Sequence, residues 1–463
     1  MISALLARNI QPRRVRQAAC AGISLSLLIP VAACTVGGSS NDTGSGSSKG
    51  TLVVEEWTNP GAIDATKKVN ALFEKQHPGV KVKLQNAPTA NNAWQTLTNS
   101  MLAAKSVDVL AQFAPTQSAF PPAYTNLKPS GTAALITSNQ LTDLSTQPFM
   151  KRYDKVSQQN AVGYKNGIYG IMVAQYAHNG GLWYKKDLLA KYHLSVPKTF
   201  DEFMTDLKTL KSKGITPIFV AGKDNLQLTI WDGIVNQMLM QGKASSQAST
   251  VGAARQKAFW TGTANWDDPL YKKAGQEYEQ IMQYIEPSAG GVTEYTAPGI
   301  WAAKSDDFPF LVDGSYDYAS ISQANPKLNV GFFTTPGTND ASANRVVVAP
   351  DLTWTVPSWA KHKKLALEWL DLFSQQSNYQ DWLKQTGSLS TQPGVTAGAT
   401  QTWTDWLNAH MSTSFPDLVK PAVPTGASTD AGNPDLTKAK PIGKQSMDDT
   451  LTKSAKAYSK SKK

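Results

Sequence analysis

Thr51-Leu-Val-Val-Glu-Glu-Trp57 is the stretch that decides the fold. Its apolar, β-branched run has strand length, and a helical pattern follows at once over Ala62–Gln76, with Ile63, Val69, Leu72 and Phe73 recurring on one face. His77-Pro78-Gly79 stops that helix, and Val80–Leu84 reads as the next strand. Trp94, Leu97, Met101 and Leu102 mark a second helix, and Val107–Phe113 a third strand. This alternation predicts an α/β fold, a parallel sheet with helices on its faces. Ligands in such sheets bind at the carboxyl ends of the strands. Trp57 and Asn59 after the first strand, and Asp108, Gln112 and Phe113 at the third, are therefore cleft candidates.

A second lobe is expected from near Tyr176. Thr199-Phe-Asp-Glu202 is a capping box opening a helix through Phe203, Leu207 and Leu210, which Gly214 ends. Ile215–Val220 follows as a strand, and Lys361–Gln375 is a further amphipathic helix. The polar stretch 241–250 reads as a loop, and no internal repeat is evident. About 410 residues beyond the N-terminal segment exceed one ordinary core, so two domains or lobes are expected.

The N-terminal segment has its own logic. Arg8, Arg13, Arg14 and Arg16 precede a mostly apolar or small run, Ala18–Val31, and Val31-Ala32-Ala33-Cys34 closes it. Cations, a short apolar run and small residues are the layout of a secretory signal. The run is about 14 residues, short of the roughly 20 that span a bilayer. Residues 1–33 are thus expected to be removed before Cys34, whose setting resembles a bacterial lipobox. The chain has 2 cysteines, and Cys20 would leave with the signal. Cys34 alone would remain, which suits acylation and leaves no disulfide or cysteine metal site. Residues 34–50 are rich in Gly, Ser, Asn and Thr and read as a tether. Gly46-Ser47-Ser48-Lys49-Gly50 has the spacing of a hydrolase elbow but no strand or helix around it. Formal net charge is +10. Part of it sits in Lys453, Lys456, Lys460, Lys462 and Lys463, a solvated end near an anionic envelope; no nucleic-acid motif accompanies it. No later segment is long and apolar enough to span a membrane, so the protein is expected outside the cytoplasmic membrane, held there by lipid.

Four stretches together resemble the family of extracellular solute-binding proteins that includes maltose- and oligosaccharide-binding proteins. The first is Phe73-Glu-Lys-Gln-His-Pro-Gly-Val80 with Asp108-Val109. The second runs from Gly167-Ile-Tyr-Gly170 through Leu182-Trp-Tyr-Lys-Lys-Asp-Leu188 to Val196-Pro-Lys-Thr-Phe-Asp-Glu-Phe203. Lys211-Ser-Lys-Gly-Ile-Thr-Pro-Ile218 and Phe310-Leu-Val-Asp-Gly-Ser-Tyr316 form the third. The fourth links Trp354-Thr-Val-Pro357, Ala366-Leu-Glu-Trp-Leu370, Gln380-Asp-Trp382 and Gly387. Lys185 departs from a common asparagine and Met172 from a usual proline. The resemblance implies a two-lobed clamp, each lobe a mainly parallel sheet flanked by helices, with hinge crossings near 172–175, near 332–335 and after Leu372. The lobes would be discontinuous: 51–173 with 332–372, and 174–331 with 373–463. It also implies a monomer that closes on a small polar ligand, a sugar, and delivers it to the permease of an ABC importer.

A sugar offers apolar C–H faces and a rim of hydroxyls, so its site needs flat rings beside carboxylates and amides. The chain has 13 Trp and 15 Tyr. Trp94, Trp369 and Trp382 fall at helix-core spacing, and Trp183 lies among strand residues; these read as packing. Rings and polar groups at strand ends and in loops read as ligand contacts: Trp57, Tyr176, His178, Asn179, Asp224, Gln227, Trp231, Trp266, Asp351 and Trp354. Tyr316 joins them because family relatives stack the aromatic after Gly-Ser on the ligand. Paired acids Asp267-Asp268 and Asp306-Asp307 raise glycosidase or calcium chemistry, but on a loop they read as solvated. No H-E-x-x-H, metal-type histidine spacing or P-loop occurs, so no catalytic, metal or cofactor site is expected. A polyamine, an anion or a metal complex as ligand, and a surface-anchored glycoside hydrolase, are the competing readings.

Overall fold

A computed structural model describes residues 50–89, 92–115, 120–396, 406, 410–411, 413–418, 420–424 and 426–462. The signal over 1–33, Cys34 and the tether through residue 49 lie outside the described residues. The described residues fall within one compact unit, Ser47–Lys463.

The first sheet is built as the opening stretch dictates. Gly50–Trp57 pairs in parallel with Val80–Ala87 on one side and with Val109–Phe113 on the other. Helices Pro60–Gln76 and Ala93–Ala104 are the crossovers. Two later segments extend the sheet antiparallel, Leu352–Thr355 beside Val109–Phe113 and then Ile171–Met172. The second sheet has the order Val330–Thr334, Gly181–Lys185, Phe310–Val312, Ile218–Val220, with only the last pair parallel. The α/β clamp is as expected, and each sheet is mainly parallel with one strand reversed, Leu352–Thr355 in the first and Gly181–Lys185 in the second. The cause is connectivity: strands that return across the hinge enter their sheet from the opposite direction.

A three-stranded hinge sheet, Phe415–Pro416, Val347–Pro350 and Gln175–Ala177, lies between the two. The first crossing runs from Met172 to Gln175, passing directly from the first sheet into the hinge strand. The second lies later than the predicted 332–335. Val330–Thr334 stays in the second sheet, and the chain changes lobe through Val347–Pro350 into Leu352–Thr355. The lobe boundary expected after Leu372 also moves, because Tyr379, Trp382 and Leu383 of helix Gln376–Thr386 are buried in the first-lobe core with Phe73 and Trp369.

Burial explains both cores. Helix Phe200–Ser212 opens on the predicted capping box, with Glu202 N–H donating to Thr199 Oγ1 and Glu202 Oε2 accepting from Thr199 N–H, and buries Phe203, Leu207 and Leu210. Lys185, the departure from the family pattern, is absorbed locally. Its ammonium donates to the carbonyls of Lys304 and Asp307 and sits over the Trp301 ring, 4.6 Å from its centre. Less foreseeable are Glu55 and Glu56, fully buried in the central first strand. Thr98 Oγ1 donates to Glu55 Oε1 at 2.8 Å and Thr66 Oγ1 to Glu56 Oε2 at 3.2 Å. Desolvation pushes the two carboxyls up to about 7 and about 8, so Glu56 stays mostly protonated at neutrality while Glu55 titrates there.

Candidate functional site

At the carboxyl ends of the first-lobe strands stands a ring cluster. Trp57 is half-buried and stacks on Phe113 with ring centres 4.6 Å apart, while Trp94 meets both rings edge-on. Phe113 is 44% exposed, so the cluster presents an aromatic surface to solvent.

Asp351 joins this surface to the hinge. Its backbone N–H donates to Ala174 O, and its carbonyl accepts from Ala114 N–H. Ala349, two residues before it, pairs with Tyr176 across the hinge sheet. Tyr176 meets Tyr316 edge-on at 5.3 Å and His178 at 5.7 Å. Tyr316 OH donates to Glu294 Oε1 at 2.8 Å and lies 3.4 Å from His178 Nδ1. Asp224 is exposed, and its Oδ2 accepts from Glu294 N–H at 2.7 Å, fixing the loop that carries Glu294. On the far side, Asn236 Nδ2 donates to Asp417 Oδ1 at 2.9 Å, and Asn433 Nδ2 approaches Asp232 Oδ2 at 3.4 Å.

The electrostatics follow from burial among acids. Desolvation pushes Asp351 up to about 7. Asp232 also rises to about 7, through desolvation and then the nearby Asp417. Glu294 is raised by burial, and Tyr176 is raised by burial and then by Asp351, Asp417 and Glu294. His178 is lowered to about 4 by burial and by Lys420, against the pull of Asp417, so it is neutral at pH 7. Among the described residues no cluster of three or more His, Cys, Asp or Glu has a metal-holding arrangement.

Several sequence-predicted contacts lie elsewhere. Trp231, Trp266 and Trp354 expose nothing. Trp231 lies in the first turn of helix Leu228–Met240 and packs against Trp266 and Tyr271. Trp266 is a loop residue whose indole plugs the second core, its N–H donating to Ala431 O at 3.0 Å. Trp354 sits in a strand covered on both faces and packs against Trp369 and Phe373. Asp108 is at the amino end of its strand, away from the cleft end, where it accepts from Val53 N–H and His362 N–H at 3.0 Å each. Gln112 is buried, with Nε2 donating to Ala111 O and Oε1 accepting from Thr132 Oγ1. Asn59 caps the first helix, its Oδ1 accepting from Ala62 N–H at 3.2 Å. Asn179 is buried in the turn before Gly181–Lys185, against Gly233. Gln227 is fully buried, Nε2 donating to Asn225 Oδ1 and Oε1 without a partner among the described residues.

Trp57, Tyr176, His178, Asp224, Tyr316 and Asp351 remain as one connected set. Glu294, Asp232 and Asp417 join them and were missed; Glu294 and Asp417 are single acids in loops that carry no spacing signal, and Asp232 is buried in helix Leu228–Met240. Phe113 was placed at the cleft by its strand but not singled out as a contact.

The chain matches the model of the bacterial extracellular solute-binding protein family over residues 59–379. It is 21% identical over 346 residues to the Multiple sugar-binding protein of Streptococcus mutans, covering 74% of this chain and 76% of that protein. Among solved structures it superposes on SBP RafE in complex with raffinose with a TM-score of 0.68, at 19% identity, covering 88% of this chain and 99% of that one. A chitin oligosaccharide binding protein also gives 0.68, at 18% identity over 90% of this chain and 100% of that one. These structural likenesses establish the shared fold. With the family match extending over more than half of its length, the chain belongs to the bacterial extracellular solute-binding proteins.

Proposed function

We propose that the protein is an exported receptor, acylated at Cys34, that captures a sugar or oligosaccharide between its lobes and delivers it to the permease of an ABC importer. The observation that carries this reading is the pairing of an exposed ring surface, Trp57 on Phe113, with the polar ring cluster of Tyr176, His178, Tyr316 and Glu294, both adjoining Asp351. Rings cover the apolar faces of a pyranose, and carboxyls and hydroxyls meet its rim. The sugar-binding name of the Streptococcus mutans relative and the raffinose-bound structural neighbour support the same ligand class. Contacts from both lobes give the ligand higher affinity for the closed clamp, and that difference drives closure. Trp57, Tyr176, His178, Asp224, Tyr316 and Asp351 are retained as the site, with Phe113, Glu294, Asp232 and Asp417 added. One clamp suffices, so the receptor works as a monomer.

Thermal unfolding across a panel of mono- and oligosaccharides tests this. A sugar at about 100 times its Kd should stabilise the folded state by roughly 2.7 kcal/mol. A panel flat for sugars but responsive to polyamines, amino acids or anions would remove sugar from the function.

A further inference from the structure

Beneath the Trp57–Phe113 surface lies a buried pair that ring stacking alone does not explain. Glu55 is fully buried two residues before Trp57, on the same strand face. Thr98 of helix Ala93–Ala104 donates its hydroxyl to Glu55 Oε1 at 2.8 Å, and Oε2 is left without a partner among the described residues. Trp94, one helical turn before Thr98, has a buried Nε1–H in the same condition, although it lies beside the carboxyl. Its ring is committed elsewhere: Trp94 meets Trp57 and Phe113 edge-on, with ring centres 5.1 and 5.2 Å away. Native folds rarely leave a buried donor and a buried acceptor unpaired side by side. One indole is thus claimed twice, by the two rings and by the carboxyl.

We propose that Glu55 is a positioning residue: neutral, it leaves Trp94 holding the ring surface, and ionised, it draws the indole away, so that sugar binding takes up a proton. The inference rests on the reading of that ring surface as a sugar contact. A hydrogen bond to a carboxylate is roughly twice as strong as one to a neutral carboxyl, so the ionised group wins the indole from its edge contacts. A sugar laid over Trp57 and Phe113 excludes water from the rings and disfavours the charged form further. Burial already raises the carboxyl to about 7, against the pull of Thr98 and Trp94. Few charges face it. Glu56 points to the opposite face, where Thr66 of the first helix meets it. Helix Ala93–Ala104 and strand Val109–Phe113 carry no ionisable side chain, and strand Val80–Ala87 contributes only Lys81 and Lys83, both exposed. Asp108 lies toward the amino ends of the strands, engaged with His362.

Calorimetric titration with raffinose, or with whichever panel sugar most raises the melting temperature, tests this between about pH 6.5 and 8.5, in phosphate and in Tris, whose ionisation enthalpies differ. If the carboxyl rises by about one pKa unit on binding, affinity should fall about fivefold across that range, with about half a proton taken up per sugar at pH 7.5. Glu55→Gln, neutral at every pH, should lose both the fall and the uptake, whatever it does to affinity at low pH. Trp94→Phe keeps a ring edge without an N–H, and its affinity should fall by only about twofold. A level wild-type affinity, a proton uptake that persists in Glu55→Gln, or an undiminished fall in Trp94→Phe overturns the role of Glu55 while leaving sugar capture standing. Silence from every sugar at pH 6.5 in the wild-type protein overturns the sugar reading and this inference with it.

Discussion

Trp57 keeps part of its indole open at the end of a strand, stacked on Phe113, whereas Trp231 is enclosed on every side by the second core. The same side chain therefore has different energetics at the two positions. Trp57→Ala removes a stacking face and leaves a gap that water can enter. It is expected to weaken binding of the captured sugar by roughly 30-fold, the scale of an aromatic hot spot. Trp231→Ala opens a closed cavity and should cost about 3–5 kcal/mol of stability. Titration calorimetry and thermal unfolding separate the two. Early unfolding of Trp57→Ala with intact sugar binding would show that Trp57 is packing and the ring surface is not a site. Sequence reading had placed both tryptophans in the cleft, because a position after a strand and one in the first turn of the next helix look alike along the chain. Only the partners, Phe113 for one and Trp266 with Tyr271 for the other, distinguish them.

Among the elements, the first helix shows how a residue at the cleft end can serve the fold. Asn59 has extended backbone and accepts from Ala62 N–H, which is the geometry of an N-cap. Asn59→Ala is expected to lower stability by about 1 kcal/mol, with Asn59→Asp restoring most of it. Sugar affinity should follow Trp57 and not Asn59. A large affinity loss in Asn59→Ala at unchanged melting temperature would return Asn59 to the ligand contacts. Long elements were legible: the strands beginning at Gly50, Val80 and Val109 and the helix capped by Thr199 all carry a period or a stop signal. The hinge strands were not, since Gln175–Ala177 and Val347–Pro350 are too short to show alternation. The second crossing, which the family resemblance implied near 332–335, falls later because Val330–Thr334 stays paired with Gly181–Lys185 in the second sheet.

For the whole molecule, buried acids and a buried histidine set how stability varies with pH. Glu56 holds its proton in the folded protein up to about pH 8, while the unfolded chain releases it near the ordinary 4.5. Its contribution is therefore complete below about pH 4.5 and is lost as pH rises through 8. Glu55, Asp232 and Asp351, each raised to about 7, act in the same direction. His178, lowered to about 4, acts oppositely, costing stability as pH falls from 6.5 toward 4. The two slopes oppose each other between about 4.5 and 6.5, and above that range the raised acids act without this opposition. The melting temperature should then decline from pH 6.5 to 8. Glu56→Gln keeps a neutral, hydrogen-bonding group beside Thr66, so it should melt higher than wild type at pH 8 and flatten the decline. The change in slope is bounded by about 1.4 kcal/mol per pH unit for one proton. Thermal unfolding of both proteins from pH 5 to 8.5 decides it. Parallel curves would mean that Glu56 ionises in the folded state as readily as in the unfolded chain, and that the strand leading to Trp57 bears a buried charge.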